Sequence, residues 1–87
     1  MELQQIKYFL AVVDCGNFLA ASKHVFVTQP TLSAGIRKLE ESLDVKLFHR
    51  GSRAATLTPA GEQFVGVARQ SYNQLMSIKS QLSNEPY

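Results

Sequence analysis

The sequence predicts a mainly α fold: three short helices, a two-stranded hairpin and one long terminal helix. Three observations carry this expectation. Apolar residues recur at helical spacing in separate stretches, capping and turn residues fall between those stretches, and no helix breaker appears from Pro59 until Asn84-Glu85-Pro86. With 87 residues the chain is one small domain. A domain of this size buries only about 60% of its unfolded surface, so a partner chain is an expected source of stability.

The first helix is set by Leu3, Ile6, Phe9, Leu10 and Val13, which fall on one face. Asp14-Cys15-Gly16-Asn17 interrupts the pattern. Gly16 suits a left-handed helix end, and Asn17 suits the cap of the next helix. That second helix turns Phe18, Ala21 and Val25 inward, and Ala20 and Ala21 let a neighbour approach closely. Phe26-Val27-Thr28 makes a tight connection. Thr28 caps a third helix and Pro30 fits its first turn, where a missing amide hydrogen costs little. Leu32, Ile36, Leu39 and Leu43 then span an arc of only about 60°. Pro30, Ser33, Ala34, Arg37 and Glu41 occupy the opposite side. Two helices joined by a short turn, the second polar in its first half, read as a helix-turn-helix from Phe18 to Arg37.

Val45, Leu47 and His49 alternate with Lys46 and Phe48, which predicts a short strand. Arg50-Gly51-Ser52-Arg53 has turn chemistry, and Ala55-Thr56-Leu57-Thr58 returns as a second strand. The wing so formed covers about residues 45–58 and packs through Val45, Leu47, Phe48 or Leu57. Thr58-Pro59 opens the last helix, as cap and first residue. Along it Phe64, Ala68, Ser71, Leu75, Ile78 and Leu82 form a heptad seam, widened by Val65, Tyr72 and Met76. A helix of about 25 residues is roughly 38 Å long. It outruns so small a domain, and a second copy of the chain is the expected cover for the seam.

Composition excludes several classes. Apolar residues at 45% and charged residues at 18% are globular rather than disordered values. Cys15 is alone, so no internal disulfide marks a secreted domain. No apolar run approaches the roughly 18 residues of a membrane span, and Met1-Glu2-Leu3-Gln4-Gln5 lacks the basic start of a signal peptide. An intracellular soluble domain is expected. Cys15, His24 and His49 fit no metal-ligand spacing, and adjacent Glu40 and Glu41 point about 100° apart, too far for an acid/base pair. No glycine-rich phosphate loop is present. The expectation is therefore no enzyme, no cofactor and no metal.

The net charge of +2 hides an uneven distribution. Lys23, Arg37, Lys38, Lys46, Arg50 and Arg53 outnumber Glu40, Glu41 and Asp44 in the middle of the chain. That favours an anionic partner. Gln29 suits the paired hydrogen bonds of an adenine edge, and Ser33 a base or phosphate. Pro30 and Thr31 suit a thymine methyl, Arg37 a guanine or phosphate, and Thr28 with the free amides of the helix start a phosphate oxygen. Arg50 and Arg53 flank the wing turn, where a groove or backbone phosphate would lie. Arg37 and Lys38 also have Glu41 and Glu40 as alternative partners along the helix. The competing reading is a winged-helix module for protein interaction and dimerisation, without sequence-specific DNA binding.

An ordered series of motifs sharpens this. Ala20-Ala21, Val27-Thr28-Gln29-Pro30-Thr31-Leu32-Ser33, Ile36-Arg37-Lys38-Leu39-Glu40, Leu47-Phe48-His49-Arg50 and Leu57-Thr58-Pro59-Ala60-Gly61 resemble the N-terminal region of LysR-type transcriptional regulators. The resemblance runs from Leu3 to about Leu82. It implies a winged helix-turn-helix over residues 1–58 and a dimerising linker helix over 59–87, paired antiparallel with its twofold mate. It implies a bacterial, cytoplasmic, nucleoid-associated regulator bound as a homodimer to double-stranded promoter DNA with an interrupted palindrome. Contacts are implied from Gln29, Pro30, Ser33 and Arg53, with Thr28, Thr31 and Arg50 nearby. The sequence departs from the family pattern at Ala34, often basic there, at Gly35, often glutamine, and at Asp44, usually glycine. Such regulators continue into a two-lobed effector-binding domain and can form tetramers. The chain is accordingly expected to be an excised DNA-binding region, or a natural short form, with small-molecule control residing in the domain it lacks.

Overall fold

The computed structural model describes residues 1–51 and 53–84. Ser52 of the expected wing turn and residues 85–87 of the expected linker segment lie outside the described residues. The elements run α1 (Leu3–Cys15), α2 (Phe18–His24), α3 (Gln29–Leu43), β1 (Phe48–His49), β2 (Thr56–Leu57) and α4 (Pro59–Ser83). This is the expected mainly helical, winged arrangement.

Local chemistry at the helix ends explains these boundaries. The Glu2 amide donates to Gln5 Oε1 at 3.1 Å and opens α1. Gly16 closes it in the left-handed region, with φ 82°, its amide bonded to the Val12 carbonyl. Asn17 Oδ1 accepts from the Ala20 amide at 2.7 Å and starts α2. Thr28 and Thr58 cap α3 and α4 by accepting from the amides of Thr31 and Gly61. Two helices stop on residues poorly suited to the task. At the end of α2 the Val27 amide bonds the Ser22 carbonyl and the Phe26 amide bonds that of Lys23. At the end of α3 the amides of Val45 and Asp44 bond the carbonyls of Glu40 and Glu41. This double closure needs a left-handed residue, normally glycine. Here Phe26 has φ 60° and Asp44 φ 56°, each costing about 1 kcal/mol or more against glycine.

The core forms where α1, α2, α3 and the first half of α4 meet. Phe9 is fully buried at its centre, with ring centroids 5.3 Å from Phe48 and 5.2 Å from Phe64. Phe18 extends the aromatic row by an edge contact on Phe48 at 5.6 Å. Leu32, Ile36 and Leu39 of α3 are fully buried, as their narrow arc requires. Gly35 lies on the same helix where a side chain would meet the Tyr8 ring at 2.7 Å, so its absent Cβ lets α1 and α3 close together. The exposed pair Arg69–Asp14, at 2.8 Å, ties α4 to the end of α1 and holds the Asp14 carboxyl below its ordinary value. In that setting it contributes little, and what it contributes fades as pH falls through that lowered range.

Two expectations are corrected. The wing is shorter than its alternation predicts. Only Phe48–Leu57 and His49–Thr56 pair. Leu47 and Phe48 are both buried, and Val45, expected among the packing residues, is 41% exposed. Leu47, packed in the core as expected, is held by its backbone as well: its carbonyl accepts from the Thr58 amide, and its amide donates to Glu40. The second correction concerns the seam. Phe64 packs on Phe9 and Ala68 is 1% exposed, so both belong to the core of the single chain. Ser71 and Tyr72 sit at the boundary. Beyond them Leu75 is 49%, Ile78 45% and Leu82 64% exposed. The molecule is accordingly drawn out to 51 Å along one axis, against 25 and 19 Å across.

The glycines of α4 make opposite demands. A Cβ on Gly61 would land on the Leu47 carbonyl oxygen and 2.8 Å from Leu57 Cδ2, both parts of the wing. Around Gly66 there is open space. Chemical denaturation should therefore show Gly61→Ala losing about 2–3 kcal/mol and Gly66→Ala gaining about 0.5–1 kcal/mol. Equal effects at the two positions would contradict the packing of the wing on α4.

Candidate nucleic-acid interface

The interface begins with how α3 is held. Its buried stripe fixes the helix against α1 and α2 and leaves the other side to water. Gln29, Pro30, Thr31, Ala34, Arg37, Lys38 and Glu41 are exposed, and Ser33 is half-buried. The expected reading residues thus share one accessible surface. Thr28 Oγ1 caps the helix and also bonds Thr31 Oγ1 at 2.9 Å. The two threonines orient each other at the helix start. Among the described residues neither Arg37 nor Lys38 forms an ion pair with Glu41 or Glu40, so the alternative partners along the helix are not taken up.

For Lys38 the reason lies with Glu40, which sequence reasoning left on the solvated side. It is 2% exposed. Its Oε2 accepts from the Leu47 amide at 2.7 Å and the Phe48 amide at 3.4 Å, and its Oε1 from Arg50 Nη2 at 2.9 Å. A buried carboxylate is tolerated when its lone pairs are met in this way. One signal was available. Glu40 follows Ile36 by four residues, at the edge of the apolar arc, and precedes Leu47-Phe48.

Arg50, expected at the wing turn, is therefore partly committed to the fold. Its guanidinium pairs with Glu40 and lies 5.0 Å from the centroid of the Phe18 ring. Its side chain is 40% exposed, and a guanidinium has five donors, so part of it still faces outward. Arg53 is exposed. A cleft of about 800 Å³ brings Gln29 of α3 together with Arg50 and Arg53 of the wing, and is lined also by the α2 cap Asn17 and by Phe18 and Leu19 of α2. The Ala55 amide donates to the Gly16 carbonyl at 2.9 Å and ties the returning strand to the α1–α2 turn. The wing is thereby held at both ends beside the start of α3. The surface presents hydrogen-bonding groups, apolar methyls and cations together, the combination suited to a base-edge and phosphate partner. Among the described residues there is no group of three or more His, Cys, Asp or Glu placed to hold a metal ion, and no helix is long and apolar enough to cross a membrane.

Comparison with known proteins bears on this surface. The family model of bacterial regulatory helix-turn-helix proteins, lysR family, matches residues 3–62. The HTH-type transcriptional regulator TfdT of Cupriavidus pinatubonensis is 43% identical over 70 residues, covering 80% of this chain and 31% of that protein. The HTH-type transcriptional regulator BenM of Acinetobacter baylyi is 36% identical over 87 residues, 97% of this chain and 29% of that protein. The chain thus spans about three tenths of the length of these relatives. Among solved structures, the BenM DNA-binding domain in complex with benA site 1 DNA has a TM-score of 0.88 at 36% identity, covering 95% of this chain and 96% of that one. The CbnR DNA-binding domain in its DNA complex has a TM-score of 0.82 at 36% identity, covering 98% and 100%.

The Glu40 cluster generates a prediction. Glu40→Ala leaves two amides and a guanidinium without their acceptor, and should cost about 3 kcal/mol in chemical denaturation. Glu40→Gln keeps an acceptor for the amides and should cost clearly less. A loss below about 1 kcal/mol for Glu40→Ala would show that the carboxylate does not hold the wing.

Proposed function

Because the chain belongs to the lysR family of bacterial regulatory helix-turn-helix proteins, we propose that it binds double-stranded DNA sequence-specifically, as the promoter-reading region of a transcription regulator. The observation that carries this is the exposed first half of α3, held rigidly from behind and set in one cleft with the wing arginines. Residues 1–58 are the reading head and 59–87 the linker helix. The setting is the bacterial cytoplasm, where such DNA lies at the nucleoid, and catalysis has no part in the reading.

In this mechanism the start of α3 enters the major groove. Gln29 makes paired hydrogen bonds to an adenine edge, and Ser33 meets a base or phosphate. Pro30, Thr31 and the Ala34 methyl lie against thymine methyls. Thr28 and the free amides of the first turn take a phosphate oxygen. Arg37 reaches guanine or phosphate one turn further along. Arg53 enters the flanking minor groove or meets its backbone, and Arg50 turns its remaining donors to phosphate while Glu40 holds it. Alanine at position 34 supplies a methyl where a basic residue would supply a donor, so the bases read there differ from those a basic residue selects.

Two copies act together. The exposed row of Leu75, Ile78 and Leu82, with Ser71 at its inner end, forms the homodimer contact. Phe64 and Ala68 support it from within each chain. Dimer geometry then sets the spacing of the two half-sites.

Two measurements test the reading. In anisotropy titrations against a selected promoter duplex, Gln29→Ala and Arg53→Ala should each weaken binding by about 1–3 kcal/mol, and Arg53→Ala should lessen the salt dependence by about one phosphate if it contacts backbone. A wild-type chain that prefers no duplex over random sequence at moderate salt ends the specificity claim and favours a protein-interaction module. In sedimentation, Leu75→Glu and Ile78→Glu should each give a folded monomer, since neither residue belongs to the core. Dimers in both would move the contact elsewhere.

A further inference from the structure

Phe26 is the most exposed large apolar residue in the described part of the chain, at 93%, and it sits in the left-handed region. These two features have separate origins. The fold needs the left-handed turn, because Phe26 is where α2 stops and its amide closes on Lys23. The fold does not need the ring. The apolar contact that accompanies such a helix end comes from the following residue. Here that is Val27, which packs against the core. Glycine or asparagine would make the same turn with less strain. Strained backbone of this kind gathers at sites that act on something outside the fold. The ring therefore adds backbone strain and wet apolar surface, and the described contacts of the single chain offset neither.

Its place in the chain identifies the partner. Phe26 precedes the α3 cap, Thr28, by two residues and Gln29 by three. Three residues span at most about 11 Å, and the major groove is about 12 Å wide. When the first turn of α3 lies at the base edges, Phe26 is therefore within reach of the groove wall. Deoxyribose offers apolar surface there, between the phosphates. A second exposed apolar side chain, Leu19 at 54%, lines the cleft shared with Gln29 and Arg53. Resting on the DNA-binding reading above, we propose that Phe26 is a further DNA-contact residue. Its ring packs against the sugars of the strand beside the entry point of α3 and fixes the depth and tilt of that helix. The contact is apolar and displaces no counterion.

The test compares the wild-type chain with Phe26→Gly and Phe26→Leu. The probe is a duplex that the wild-type chain selects from a random-sequence pool. Thermal melting and anisotropy at several salt concentrations are the readouts. Phe26→Gly should melt several degrees higher, because the strain is relieved. It should nevertheless bind about five- to tenfold more weakly at every salt concentration, with an unchanged slope of log K against log salt. Phe26→Leu should recover part of the affinity. A stabilised fold with weakened binding separates this role from a structural one. Equal affinity of Phe26→Gly and wild type overturns the proposal, leaves the DNA-binding reading intact and marks Phe26 as surface for another protein. Weaker binding with a lower melting point assigns the ring to the fold and also overturns it. A wild-type chain that selects no duplex overturns both readings.

Discussion

The arrangement depends on one buried carboxylate. Glu40 belongs to α3, yet every bond its side chain makes goes to the wing: the amides of Leu47 and Phe48 and the guanidinium of Arg50. A two-residue strand pair has too few ladder bonds to hold itself. Its position is instead set by an acceptor anchored in α3, whose Leu32, Ile36 and Leu39 are fully buried. Leu47 and Phe48 are thereby drawn into the core, and the aromatic row from Phe64 through Phe9 and Phe48 to Phe18 forms around them. Arg50 completes the cluster from the surface side. α3 and the wing are thus parts of one bonded unit.

The long helix shows how a single periodic pattern can serve two purposes. Its heptad row runs in step from Phe64 to Leu82, apolar except at Ser71. The first turns are absorbed by α1, and the last remain bare. Nothing in the heptad spacing marks the change, because burial depends on how far the rest of the domain reaches. α1 ends at Cys15, near the level of Arg69, where Asp14 pairs with it. Tyr72 still packs against the core, and beyond it Leu75, Ile78 and Leu82 are left exposed among the described residues.

Much of the fold was legible because it rests on local rules. Asn17, Thr28 and Thr58 cap where their side-chain chemistry says they should, and Gly16 ends α1 in the expected conformation. The narrow arc of Leu32, Ile36 and Leu39 gave the buried side of α3, and with it the exposed side proposed to read DNA. The missed features are long-range. Glu40 looked like half of a surface pair because its partners lie seven to ten residues onward, across a turn. Gly35 is a poor helix residue by local measure, and only Tyr8 on a neighbouring helix explains it. The wing's alternation failed because bonds to its backbone from the Glu40 carboxylate and the Thr58 amide, not a ladder, hold Leu47 and Phe48 in place.

The junction between wing and α4 has a mechanical consequence. Gly61 rests on the Leu47 carbonyl, and the Thr58 amide bonds the same oxygen. The head and the helix leaving it are joined without a hinge at that point. The helix therefore behaves as a stiff lever. Over its length of about 38 Å, a tilt of about 10° at the head displaces the far end by about 7 Å. The reverse also holds: two such levers clasped at their bare ends would convert a small change in crossing angle into a shift in the distance between the two heads.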